Sequence, residues 1–313
     1  MLSCAVLLAA SACDMARGGD RAAHDSPLLH STAHDQPAPI DVARAATDPT
    51  ELVRALVARH ADATRGLGAH AVVTQATLRV HDVNAAAGTE PTGEPTGEPL
   101  ESLDEAARLE VAAGGAFHAS TTNSRDDGRD TFFHDGTLWL RPRSGKYHRR
   151  EPASREEPAR ILDDAWGGFG AQVEVIAASI AVADRGAASV DGRAARRIAL
   201  RLGTARARAT EALPQRAWRD GLRVLALTGE VLLDAKTGVL LRGTLSARVA
   251  FERDGRSLEL ALGCKQELTG VGTAITITPP TDEDSVTTPG RSGEVAERAR
   301  LLDGIAAPAR GRR

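Results

Sequence analysis

Residues 239–268, VLLRGTLSARVAFERDGRSLELALGCKQEL, decide how this chain folds. Two runs of alternating apolar and polar residues flank Asp254-Gly255, a dipeptide suited to the left-handed backbone of a two-residue hairpin turn. A turn there sets Phe251 opposite Leu258, Val249 opposite Leu260, Ala247 opposite Leu262 and Leu245 opposite Cys264. These pairs form one apolar stripe, so one face of the hairpin is buried and its register is specified. Cys264 lies in the stripe and reads as a core thiol, not a reactive one.

The same grammar extends in both directions. Asp191-Gly192 turns 187–190 into 194–202, and strands at 223–233 and 239–252 flank 234–238. A last strand is expected over 270–278, ahead of Pro279-Pro280. Upstream, Asp127-Gly128, Asp135-Gly136 and Ser144-Gly145 each offer a glycine where a tight hairpin takes positive φ, with strands at 129–134, 137–142 and 146–150. The Asp135-Gly136 turn brings Phe133 to Leu138 and Phe132 to Trp139. Residues 69–83 alternate as well, with Val72, Thr74, Ala76, Leu78 and Val80 on one face. Tandem Thr-Gly-Glu-Pro copies at 92–95 and 96–99 have no apolar side chains and read as a solvated loop.

Two regions carry helical spacing instead. One helix is expected over 50–63, capped by Asp48 or Thr50 and stopped by Gly66 and Gly68. A second helical region, 156–183, is interrupted by the glycines of 167–170 and reads as two helices with a bend between them.

Composition bounds the function. With 39 Lys and Arg against 42 Asp and Glu, the net charge of -3 argues against a nucleic-acid binder driven by overall positive charge. A 42% hydrophobic content permits a proper core, but only 3% of residues are aromatic, so Leu, Val, Ile and Ala must fill it.

At the N-terminus a short apolar run, 2–12, ends in Ala10-Ser11-Ala12-Cys13. This resembles the lipobox of bacterial lipoproteins. The resemblance implies a signal peptide over 1–12, acylation of Cys13, and a membrane partner reached through that lipid, in the bacterial cell envelope facing the periplasm or exterior. Residues 13–49, rich in Ala, Asp, His, Pro and Ser, read as the acylated cysteine and a disordered tether. With Cys4 removed and Cys13 acylated, Cys264 has no disulfide partner within the mature chain.

The element order over 50–280 is similar to that of the outer-membrane lipoprotein-carrier superfamily (LolA/LolB and LppX-like). So are the segments 190–197, VDGRAARR, and 232–240, LLDAKTGVL. The resemblance implies an α+β fold in which a strongly curved antiparallel sheet, a half-open barrel, wraps around a few helices. It also implies an apolar cavity, for which Phe133, Trp139, Trp166 and Phe169 are the candidate lining residues. The remainder, 281–313, is a C-terminal tail with a short helical pattern at 294–302.

Signatures of enzymatic chemistry are missing from the sequence. The sequence has no His-Glu-x-x-His, Gly-x-Ser-x-Gly, Walker or complete Gly-x-Gly-x-x-Gly motif, and nothing in it calls for a cofactor. His118 and His134 approach each other across one hairpin, but a two-residue turn at Asp127-Gly128 sets His134 opposite Thr121 and separates them. His24, His30 and His34 fall in the tether, so no metal site is expected. The basic residues Arg141, Arg143, Lys146, His148, Arg149 and Arg150 read either as a headgroup site or as a solvated face balanced by Glu151, Glu156 and Glu157. The leading reading is a non-enzymatic, membrane-anchored lipoprotein that binds or carries lipid or another apolar ligand. A structural or protein-interaction lipoprotein with a filled core is the alternative, and an envelope hydrolase ranks third.

Overall fold

In a computed structural model the protein is described over residues 38–83, 98–204 and 221–288. The signal peptide, Cys13, the tether as far as residue 37, most of the Thr-Gly-Glu-Pro repeat and the 294–302 pattern lie outside the described residues.

The hairpin that opens the sequence reading folds as expected. Asp254 and Gly255 take φ of 54° and 71°, and β10 (Leu240–Arg253) meets β11 (Arg256–Thr269) with Phe251, Val249, Ala247 and Leu245 opposite Leu258, Leu260, Leu262 and Cys264. Asp135-Gly136 and Asp191-Gly192 make the same left-handed turns. They join β4 (Gly128–His134) to β5 (Thr137–Pro142), and β7 (Ile180–Val190) to β8 (Arg193–Leu202). The other strands are β1 (His70–Asp82), β2 (Glu101–Val111), β3 (Phe117–Asn123), β6 (Tyr147–Arg150), β9 (Arg223–Asp234) and β12 (Ser285–Thr287). All twelve belong to one strongly curved, unclosed sheet ordered β12-β6-β5-β4-β3-β2-β1-β11-β10-β9-β8-β7. Every pairing is antiparallel except β12 on β6.

That order explains the helices. The chain leaves β6 beside one edge and must begin β7 at the opposite edge, so the connection has to cross the sheet. It does so as α4 (Glu157–Trp166), which lies on β2 and β3, then α5 (Gly168–Ile176), which lies on β1 and β11. Ile161, Ala165 and Trp166 of α4 share one buried cluster with Val72, Leu109, Phe117 and Leu138 from one half of the sheet and Leu232, Leu241 and Leu268 from the other. Among the described residues three short helices precede the sheet: α1 (Val42–Ala45), α2 (Pro49–Leu56) and α3 (His60–Ala63).

The differences from expectation have physical causes. The folded region starts before residue 50: Asp41 caps α1 through the Arg44 N–H, and Ala45 and Ala46 are buried. Asp48 caps α2 as expected, but the 50–63 helix is broken after Leu56. There the Ala58 carbonyl accepts from the Trp166 indole and the His60 N–H donates to Asp163, using groups that a continuous helix would consume internally. The second helical region ends at residue 179, because Ile180 must pair with Leu202 to begin β7. Asp127-Gly128 is not the turn. Residues 124–127 form a longer loop, and Gly128 sits within β4, where an added Cβ would lie 2.7 Å from the Thr121 carbonyl oxygen. No strand forms over 270–278: β1 and β11 are already paired on both sides, and Gly270 and Gly272 turn the chain away at positive φ. It travels on to the β6 edge and pairs there as β12. β2, ESLDEAARLEV, carries too few apolar residues to announce itself.

Candidate functional site

The four candidate lining residues do not share one face. Trp166, at the end of α4, is buried; its indole N–H donates to the Ala58 carbonyl at 3.1 Å and its ring meets the edges of His60 and His70. Phe169 is fully buried in α5. Its ring occupies the space over Gly243, where a Cβ would come within 2.8 Å of Cζ. Phe133 is half-buried on the concave side and stacks on Phe117 at 5.5 Å. Trp139 departs from the expectation. It follows Leu138, which belongs to the core cluster, so it points to the opposite face, in register with Phe132 and Arg149. Gly168 admits Thr74, and a Cβ on Gly170 would stand 2.8 Å from the Leu56 carbonyl oxygen, so close packing requires them.

The centre of the concave face is therefore filled. Phe133 and Leu140 on the sheet and Leu162 on α4 pack against the core cluster yet remain half-buried. On β4 the alternation puts Arg129, Thr131 and Phe133 on this face. Thr131 is 1% exposed, and its Oγ1 has no hydrogen-bond partner among the described residues. Burial raises the pKa of Asp164 on α4 above the usual carboxylate value, against positive charges, Arg129 among them, that lower it. Sequence reasoning passed over Arg129, Thr131 and Asp164. Once Phe133 is set facing Leu138, a period of two places Thr131 and Arg129 beside it; the unpaired hydroxyl has no sequence signal.

The convex face carries a second cluster. Asp130 accepts hydrogen bonds from His118 Nε2 at 2.6 Å, the Tyr147 hydroxyl at 2.6 Å and Arg141 Nη2 at 2.9 Å. His118 lies flat on Phe132 at 3.9 Å, and the Arg141 guanidinium sits 4.2 Å over the Tyr147 ring. Burial works against the Asp130 charge, but the three donors hold its pKa at about 2; burial and the Asp130 carboxylate push Tyr147 up to about 12. Near neutral pH this carboxylate is a poor base and this phenol a poor acid, so the pair is not poised for proton transfer. It fastens β3 to β6.

The basic run is largely neutralised within the fold. Arg141 pairs with Asp130, Arg143 with Asp126, Arg149 with Asp282, and Arg150 holds Glu157 with both nitrogens at 2.8 and 2.6 Å. These pairings favour the balanced-face reading over a headgroup site. No group of three or more His, Cys, Asp or Glu among the described residues is arranged to hold a metal. His134 lies against Asp135, away from the His118–Asp130 contact.

No protein-family model matches the chain, and no curated protein does. Among solved structures it is similar to the lipoprotein LppX of Mycobacterium tuberculosis, with 13% identity over 74% of this chain and 100% of that one, at a TM-score of 0.27. It is similar to LprF from Mycobacterium bovis, with 17% identity over 74% and 97%, at 0.25. It also resembles a LolA superfamily protein from Nitrosomonas europaea, with 10% identity over 74% and 95%, at 0.20. The single unclosed sheet itself defines the architecture.

Proposed function

We propose that this protein is a lipid-anchored bacterial envelope protein that holds a lipid or similar apolar molecule at the margin between α4 and strands β4 and β5. One observation carries the reading. Phe133, Leu140 and Leu162 pack against the apolar core cluster and stay half-buried. An acyl chain laid along them would gain about 0.8 kcal/mol per sequestered CH₂. Anchoring rests on Ala10-Ser11-Ala12-Cys13, which lies outside the described residues.

The filled-core alternative draws on a different observation: Trp166 and Phe169 are tightly packed, so the centre of the concave face offers them as core, not as lining. Organic extraction and mass spectrometry of the purified chain, with titration of a fluorescent fatty acid, separate the two. The carrier reading expects lipid in the extract or binding at micromolar affinity or better, weakened by Leu162→Asp with the β-sheet circular dichroism unchanged. A folded protein that neither carries nor binds lipid would establish the filled-core module instead. For the anchor, Cys13→Ser should abolish labelling by a clickable palmitate analogue and release the protein from membranes; persistent labelling would rule the anchor out.

A further inference from the structure

Two buried imidazoles meet at the corner where α3, the start of β1 and the end of α4 come together. His60 Nε2 and His70 Nε2 stand 3.0 Å apart, while the ring centroids are 5.2 Å apart and the planes 29° from parallel. The centroid separation equals the contact plus one ring radius on either side, so the rings meet head-on and do not lie over one another. Trp166 packs against both rings at a steep angle. Its indole N–H donates to the Ala58 carbonyl at 3.1 Å, and the His60 N–H donates to Asp163 at 2.9 Å. The imidazole pair thus sits beside the two hydrogen bonds that tie the 58–60 segment to α4.

A head-on contact holds a single proton between its nitrogens. The Gly68 carbonyl lies 2.8 Å from His70 Nδ1 and can only accept, which leaves Nε2 as the one basic site on His70. With both rings protonated, each Nε2 carries a hydrogen, neither can accept, and two buried cations face each other. That state breaks the contact. The surrounding charges do not relieve it. Asp163 on α4 is engaged by the His60 backbone N–H, Asp62 on α3 pairs with Arg65, and Arg59 beside His60 is exposed. Among the described residues neither carboxylate bonds either ring. We propose that this pair is an acid-released latch: two protons, taken up on opening, free the 58–60 segment and Trp166 from one another while the sheet stays folded. Burial holds both rings below the ordinary histidine value of 6.5, whereas rings in an opened corner titrate freely. Below that value the open corner binds two protons and the closed one binds fewer. The open population therefore rises more than tenfold per pH unit, toward a limit of about a hundredfold; a single histidine gives at most about tenfold.

Hydrogen exchange on the full chain, read by NMR, tests the latch. The His60 amide and the Trp166 indole N–H exchange when the corner opens, and the amides of β10 and β11 report unfolding of the sheet. From pH 6 to pH 5 the protection factors of both corner groups should fall more than tenfold, and at each pH they should stay below those of β10 and β11. In His60→Gln one titrating ring remains, and the glutamine carbonyl can accept from it once it is protonated, so the fall should be about tenfold or less. His70→Gln carries the same expectation should the first variant fail to fold. Corner groups that match β10 and β11 at every pH would make the opening global and overturn the latch. A fall of tenfold or less in the wild type, or the wild-type fall persisting in the glutamine variant, would overturn it as well.

Discussion

His60 and His70 face each other beneath Trp166 with their Nε2 atoms 3.0 Å apart, both buried. The Gly68 carbonyl lies 2.8 Å from His70 Nδ1 and can only accept, so His70 carries its proton there; His60 Nε2–H then donates to the bare Nε2 of His70. Burial, then the neighbouring His70, lowers the His60 pKa from 6.5 to about 4; burial lowers His70 too, against the pull of its bond to Gly68. A histidine held below its unfolded value stabilises the protein fully above 6.5, and that contribution is lost as pH falls toward the folded value. Between about pH 7 and pH 5 the unfolded chain takes up a proton that the folded chain refuses, so His60 alone should remove about 2 kcal/mol over that window. Asp130 and Glu157 have folded values of about 2 against ordinary values of 3.8 and 4.5, so their contributions fall mostly at lower pH and leave the window to the histidines. The assay is urea unfolding of the wild type and His60→Gln at both pH values. The wild type should lose about 2 kcal/mol more than the variant between them, whatever the variant's stability at pH 7. Parallel pH dependences would refute the buried neutral pair.

Two further outcomes follow from packing and hydrogen bonding. Gly243→Ala would put a Cβ within 2.8 Å of the buried Phe169 ring and should cost about 1–3 kcal/mol in chemical denaturation, less in a Phe169→Leu background, where the clash is relieved. Asp234 accepts through one oxygen from the Lys236 and Thr237 amides and the Thr237 hydroxyl, and through the other from Arg193. Asp234→Asn should therefore lower stability by about 2 kcal/mol near neutral pH, with the deficit shrinking in acid as the native carboxyl is protonated.

Much of the sheet was legible because its register is written in local chemistry. Asp254-Gly255, Asp191-Gly192 and Asp135-Gly136 take the left-handed turns that their residue types favour, and each fixes two strands at once. Asp127-Gly128 has the same letters and a different role: the longer 124–127 loop takes its left-handed residue at Asp126, and Gly128 is small for the sake of the Thr121 carbonyl. The 50–63 helix and the 270–278 strand failed for a reason outside any local window. One is broken by partners on α4, and the other finds no free sheet edge. For the candidate site, the pairing of Phe132 with Trp139 is enough to separate Trp139 from Phe133, since neighbours on a strand face opposite ways. The unpaired hydroxyl of Thr131 depends on what packs over β4, which no residue spacing encodes.

The two segments that carried the likeness to the lipoprotein carriers acquire a physical meaning together. Arg193, from 190–197, donates to Asp234, from 232–240, with Nε at 2.8 Å and Nη2 at 2.7 Å, and the Ala235 N–H bonds the Ala194 carbonyl. Asp234 in turn holds the Lys236–Thr237 corner that sends the chain from β9 into β10. The β7–β8 turn and the β9–β10 turn are thereby fastened at one end of the sheet, through a carboxylate whose burial is offset by its donors. Val190 and Ala195, beside that fastening, and Leu232 and Val239 all sit in the cluster that α4 covers. So segments 190–197 and 232–240 together form a structural clamp that positions the floor beneath α4.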